Sequence, residues 1–234
     1  MKKAIFILFL SISAFIYGQD TTFQKVKNGI WFHPNNVSKI NGLAIGPFNS
    51  QKWSQFDSLL VNGVNIELMG NGLWVYLIPW PSYPERKYIK VNGLSLSPTF
   101  WGGTNNGVTI SAISAMSKMK GCSFGIISGI NENSTGFNFG FMMSESNTMK
   151  GVQIGCFNEV KNGEGVLIGG IDCIADTFQG VSISAVNYTK SIHKGLQIGL
   201  FNYTKDLNGV QIGLINYAKN SRIPFSLLFN LARK

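Results

Sequence analysis

Glycine returns at a fixed interval over more than half of this chain, at Gly93, Gly107, Gly121, Gly136, Gly151, Gly165, Gly180, Gly195 and Gly209, each step being 14 or 15 residues. Counted from each of these glycines, the second place is Leu94, Val108, Cys122, Phe137, Val152, Val166, Val181, Leu196 and Val210. The fourth is Leu96, Ile110, Phe124, Phe139, Ile154, Ile168, Ile183, Ile198 and Ile212. Between these apolar columns the third place is polar except at Leu167, and the fifth is glycine or serine throughout. Alternation with period two is the mark of a β-strand whose two faces meet different surroundings. The internal glycines and β-branched residues disfavour helix. A repeat at this period makes the tandem unit, not the single strand, the element from which the fold is built.

Segments such as TKDLN and VKNGE, rich in Asn, Asp, Gly and Lys, follow each apolar stretch and read as tight turns. Before Gly93 the same vocabulary is looser: GIWFH at Gly29, GLAIGPFN at Gly42 and GVNIELMGNGLWVYLIPW at Gly63 read as further strands, with the proline-rich loop PWPSYPERK after them. IPFSLLFNLA supplies a closing strand. The chain therefore divides into a leader at 1–18 and one β domain at 19–234. Within that domain 19–92 is divergent and tryptophan-rich, 93–220 is regular and 221–234 closes it.

The leader reading rests on Lys2 and Lys3 ahead of the apolar run Ala4 to Tyr17, with Gly18 before a polar residue, which is the pattern of a secretory signal. Only 13% of residues are charged, against about 25% in ordinary soluble domains, so part of the surface is expected not to face water. The net charge of +9 is spread over lysines in the segments read as turns rather than gathered on one face, which argues against nucleic acid. Three cysteines, Cys122, Cys156 and Cys173, have no metal-site spacing and are expected to stay unbridged as small apolar fillers.

Two architectures satisfy the pattern. In the favoured one the units form an all-β antiparallel meander closing into an up-and-down β-barrel of roughly 12–14 strands, with apolar places outward, Gln, Ser and Gly inward, and Tyr188, Tyr203 and Tyr217 divided between two rims. In the alternative, the 14–15-residue repeats stack in parallel as a β-solenoid, its interior the Val/Ile/Leu columns and Asn158, Asn187, Asn202 and Asn216 a ladder at a corner.

The units GVQIGCFN at Gly151, GLQIGLFN at Gly195 and GVQIGLIN at Gly209, with RIPFSLLFN at Arg222, resemble a bacterial surface-repeat family of exported proteins with tandem GVQIGLxN-type repeats. The resemblance is carried by Gly151 to Asn230. Ser97, Ser111 and Ser184 depart from its second glycine, and the units at Gly121 and Gly136 lack the glutamine. The family implies a cell-surface or outer-membrane location and offers no catalytic residues to carry over.

No catalytic, cofactor-binding or metal-binding residues are assigned. His193 in KSIHKG reads as an exposed turn histidine, and His33 lies in a loop beside Pro34; neither sits in a nucleophile motif. Asp172, Asp176 and Glu164 lack the spacing of a calcium loop and read as solvated turn acids. Trp31, Trp53, Trp74, Trp80 and Trp101 all precede residue 102 and suggest an interfacial belt or a contact surface. The expectation is a non-enzymatic, cofactor-free protein of the bacterial outer membrane or cell surface, in envelope structure or passive passage of small solutes, with outer-membrane lipid as partner and the oligomeric state open. The alternative is a secreted or surface-bound repeat module that binds glycan or protein through its tryptophan-rich N-terminal part.

Overall fold

The computed structural model describes residues 26–32, 37–46, 58–69 and 88–232. The leader, His33, Trp53, Trp74, Trp80 and the proline-rich loop lie outside these residues. Among the described residues six strand segments follow one another: β1 Val26–Phe32, β2 Lys39–Gly46, β3 Ser58–Glu67, β4 Tyr88–Trp101, β5 Thr104–Ala218 and β6 Phe225–Ala232. They lie side by side in sequence order, and β1 to β5 pair in parallel, with Gly29 against Gly42, Gly42 against Gly63, Gly63 against Gly93 and Gly93 against Gly107.

The 115 residues of β5 would span roughly 380 Å if straight, at about 3.3 Å per residue. Instead the chain winds back on itself once per unit. Asn202 donates to Asn216, Gln211 to Gln197 and Ser114 to Ser128, each across 14 residues. The backbone amide of Lys219 likewise reaches the carbonyl of Thr204. The architecture is a β-solenoid, a ribbon wound into coils that hydrogen-bond to the coils above and below.

This overturns the antiparallel barrel. A barrel requires each unit to reverse direction and the last strand to meet the first. Here successive units run the same way, and the sheet ends at β1 on one side and β6 on the other. The physical reason lies in the segments read as turns. Thr204 and Leu207 of TKDLN, and Val160 of VKNGE, are buried inside the coil, so these residues carry the chain onward around a corner rather than turning it back.

The opening glycines hold the winding in register. Twelve of them, from Gly29 to Gly209, have φ between +88° and +154°, a backbone region that side chains strongly disfavour. At Gly180 a Cβ would stand 1.9 Å from the carbonyl oxygen of Gly165 in the coil below. Only hydrogen leaves room for this approach, so the column is glycine on every coil.

The interior also differs from the solenoid alternative. Every third-place residue from Ser95 to Gln211 is buried, whereas Val and Ile at the second and fourth places face outward and are half-buried or exposed. The inner space is filled by third-place Gln, Asn and Ser meeting eighth- and tenth-place residues across the coil: Ser182 contacts Asn187, and Gln197 donates to Thr189. Apolar packing is confined to patches. One runs through the N-terminal coils from Val37 to Ile130, a second joins Met149, Val160, Leu167, Ile174 and Phe178, and a third holds Leu207, Ala218 and Ala232. The second residue before each opening glycine supplies much of this packing, as Ile40, Val61, Val91, Met119, Met149, Phe178 and Leu207 do.

After β5 the residues Lys219–Pro224 reverse the chain, with Ala218 donating its amide to the Pro224 carbonyl at 2.9 Å. β6 then returns antiparallel along the last coil, pairing Val210 with Leu231, Ile212 with Phe229, Ile215 with Leu227 and Tyr217 with Phe225. A bulge between Gly213 and Ile215 takes β6 around the corner, and there Leu228 adopts φ 66°.

Candidate functional site

Two outward walls and one inner ladder carry the distinctive chemistry. The first wall is built by places two to six, and from Gly93 to Leu214 it contains no charged residue. Its nine rungs, about 4.8 Å apart and about 15 Å wide, make a patch of about 600 Å². That is at the upper limit of what monomeric soluble proteins leave exposed. Ile110, Phe124, Ile168, Ile183, Leu200, Ile212 and Leu214 are among its exposed members. Cys156, exposed at the sixth place, belongs to this wall and not to a packed core, and all three cysteines are free.

The second wall, from the seventh to the eleventh place, is amphipathic. The rings of Tyr188 and Tyr203 stack at 5.0 Å and those of Tyr203 and Tyr217 at 5.2 Å, nearly parallel. Lys190, Lys205 and Lys219 stand exposed two residues further along each coil. The tyrosines expected at opposite rims therefore form one column, because parallel winding places equal positions of successive units on the same side.

Inside, the eighth-place residues from Asn158 to Asn216 make a ladder, with Ser182 bridging Asp172 and Asn187. Asn187 donates to Asn202 at 2.7 Å, Asn202 to Asn216 at 2.7 Å, and Asn158 to Asp172 Oδ1 at 2.7 Å. Asp172 was expected to be a solvated turn acid; it is fully buried at a rung that is asparagine in the next coils. Asp176 and Glu164 remain exposed, and no cluster of three metal-binding side chains occurs among the described residues.

Burial pushes the Asp172 carboxyl above the usual range, against the opposing hydrogen bonds from Asn158, Ser182 and Ser184. Proton counting agrees. Ser182 Oγ lies 2.7 Å from Asp172 Oδ2 and 2.5 Å from Asn187 Oδ1, but a hydroxyl has one proton to give. The Asn187 oxygen must accept, since its Nδ2 is committed to Asn202 and the Ile198 carbonyl. Ser184 Oγ also lies 2.8 Å from the Asn187 oxygen, so the carboxyl sits among more acceptor oxygens than the hydroxyl protons can serve, which favours its protonated form in the direction burial does.

A carboxyl with a raised folded pKa contributes its stability below its unfolded pKa and loses it as pH rises through the folded value. Asp172→Asn supplies the missing donor permanently. It is expected to raise the melting temperature at pH 7 by several degrees, with the gap to wild type narrowing towards pH 4. Thermal melts by circular dichroism at the two pH values test this, and an unchanged or lower melting temperature at pH 7 would contradict the assignment.

His193 is likewise misplaced by the sequence reading. It is fully buried, stacked on Phe178 at 5.6 Å, in the column two residues before the opening glycine. Neither ring nitrogen makes a hydrogen bond of good geometry, the Leu196 backbone being the ring's polar neighbour. Desolvation lowers its pKa to about 4, with the Leu196 backbone working weakly the other way. With no orienting carboxylate bonded to it, this is a packed neutral imidazole rather than a general base.

A second asparagine ladder escaped the sequence reading. Asn41 donates to Asn28, Asn62 to Asn41, Asn92 to Asn62 and Asn106 to Asn92, at 2.8 to 2.9 Å. All five precede an opening glycine, and the recurring Asn-Gly dipeptide was the signal available for finding them.

Comparison with protein-family models, curated proteins and solved structures finds no match. The tryptophan-rich contact surface rests mainly on positions outside the described residues. Of the two tryptophans within them, Trp31 packs against the N-terminal apolar patch with Lys27 Nζ 4.6 Å from its ring, and Trp101 ends β4.

Proposed function

We propose that this protein is a non-enzymatic β-solenoid exported to the bacterial outer membrane or cell surface, where its uncharged outer wall seats it on outer-membrane lipid as an element of envelope structure. The observation that carries the reading is the polarity of the coil. Along places two to six the third-place side chain is turned inward, a hydrogen-bonding one in every unit except at Leu167, and the apolar second and fourth places are turned outward, over nine consecutive units with no charge in that stretch. A chain selected to stand in water would reverse that assignment. The leader-like start and the resemblance of the GVQIG units to exported surface repeats support the same location. Passive solute passage loses its basis with the barrel, because the space inside the coils is occupied by the buried Gln, Asn and Ser side chains.

Wild-type protein is expected to stay with membranes through a carbonate wash and to be released by detergent. Replacing Ile183 and Ile198, adjacent on the wall, with aspartate removes about 3 kcal/mol of apolar burial. Liposome partitioning should fall about a hundredfold while the circular dichroism spectrum is kept. Carbonate extraction of the wild type, or undiminished binding of a folded double variant, would refute the proposal.

A further inference from the structure

We infer that β6 is a pairing edge for a second copy of this chain, joining two solenoids tail to tail through antiparallel β6 strands. Among the described residues β6 is the last strand of the sheet and is hydrogen-bonded on one side only, to the final coil. An uncovered edge offers a row of free amides and carbonyls to any strand that fits it. Chains that avoid such pairing place charge or proline on the strand. Phe225–Ala232 reads FSLLFNLA and carries neither. Instead Phe225, Leu227, Leu228, Phe229 and Leu231 are each 54 to 68% exposed.

The pattern of β6 is self-complementary about its centre. Reversing the strand around Leu228 sets Leu227 against Phe229 of the second copy, Phe225 against Leu231, and Ser226 against Asn230. Outward apolar residues then meet outward apolar residues, and the two inward polar residues meet each other. Ser226 Oγ is enclosed without a hydrogen-bond partner in the single chain. Asn230 Oδ1 accepts from Ser221 Oγ at 2.8 Å, while its Nδ2 makes only long contacts of 3.5 and 3.4 Å to Gln211 and Pro224.

The corner at Leu228 suits a two-fold axis as well. The arm Phe229–Ala232 continues the aliphatic wall and the arm Phe225–Leu227 continues the tyrosine wall. A rotation through the corner exchanges the two arms and reverses strand direction, which yields the antiparallel, isologous contact that closed dimers use.

The five side chains expose about 600 Å² per copy, taking about 200 Å² for a full-sized apolar residue. Covering half of it on each side buries about 600 Å² of side-chain surface in total, below the about 1,200–2,000 Å² of stable specific interfaces, so the dimer is transient and concentration-dependent. Wall-on-wall association of the aliphatic faces is the competing arrangement, and the experiment separates the two.

Sedimentation of the detergent-free chain over a concentration series should show monomer passing to dimer. Leu227→Lys with Phe229→Lys should leave monomer at all concentrations, whereas Ile183→Asp with Ile198→Asp should leave the dimer intact. With Cys122, Cys156 and Cys173 replaced by alanine, Leu228→Cys should give a disulfide-linked dimer on oxidation and Ile183→Cys should not. Monomer throughout for wild type, a dimer abolished by the wall variant and kept by the β6 variant, or crosslinking at 183 in place of 228 would each overturn the inference.

Discussion

Gly180→Ala is expected to abolish cooperative folding of the central coils. The new Cβ would sit 1.9 Å from the Gly165 carbonyl oxygen, and the residue would be held at φ +145°. Neither problem has a local remedy. Relaxing the backbone breaks the stacking of the glycine column, and separating the coils surrenders the hydrogen bonds between them. A backbone conformation of this kind costs a side chain about 1–3 kcal/mol by itself. With the collision added, the loss should exceed about 4 kcal/mol, the range reserved for such mechanisms. Because each coil touches only its neighbours, the damage should divide the solenoid rather than spread evenly. Hydrogen exchange should show fast amides in the coils opened by Gly165 and Gly180 and slower ones near Met116 and Leu207.

Gly129→Ala provides the matched control. Its Cβ would meet only the Ser114 carbonyl oxygen, at 3.6 Å, and its φ lies outside the left-handed range. The stability change there should be within about 0.5 kcal/mol. Equal urea midpoints for the two variants would show that the glycine column does not hold the coils in register.

The second large effect is acid lability centred on His193. A histidine with an ordinary pKa of 6.5 unfolded and about 4 folded remains neutral in the fold while the unfolded chain takes up a proton. Its stability contribution is therefore present above pH 6.5 and is lost as pH falls towards 4. At about 1.36 kcal/mol per unit, the loss amounts to about 3 kcal/mol across that window. His193→Leu matches Leu207 in the same column of the next coil and has no proton to gain. It should be at least as stable as wild type at pH 7 and more stable by about 3 kcal/mol at pH 4. Urea denaturation at both values measures the difference, and parallel pH profiles for the two proteins would exclude His193 as the source. Asp172 works in the opposite sense over an overlapping range, so the Asp172→Asn background gives the cleaner profile.

Both effects arise where the residue pattern was hardest to read. His193 lies in KSIHKG, between lysines, and looks like a surface turn. Its burial follows from its place two residues before an opening glycine, an inward column that holds Ile40, Val61, Met119, Phe178 and Leu207 and also the buried Asn105 and Ser134. That column was visible in the sequence. If TKDLN and its equivalents reverse the chain, however, nothing in them has reason to be buried. Asp172 was obscured similarly, since only parallel stacking aligns it with Asn158 and Asn187. The asparagines of the inner ladder were legible as a column, because their repetition every 14 or 15 residues does not depend on strand direction.

What the residues determined alone is the period, the β conformation and the alternation of environment along each unit, all consequences of local geometry: side chains in an extended backbone point to opposite faces. The opening glycine is local only in its positive φ; its exclusion of a Cβ comes from the carbonyl of the coil below and is tertiary. The direction in which one unit follows another was decided only by tertiary structure, because a meander and a coil can share the same inward and outward residues. That choice rests on contacts between units, namely the glycine stack and the Gln, Asn and Tyr columns, where like residues meet only if the chain always travels the same way.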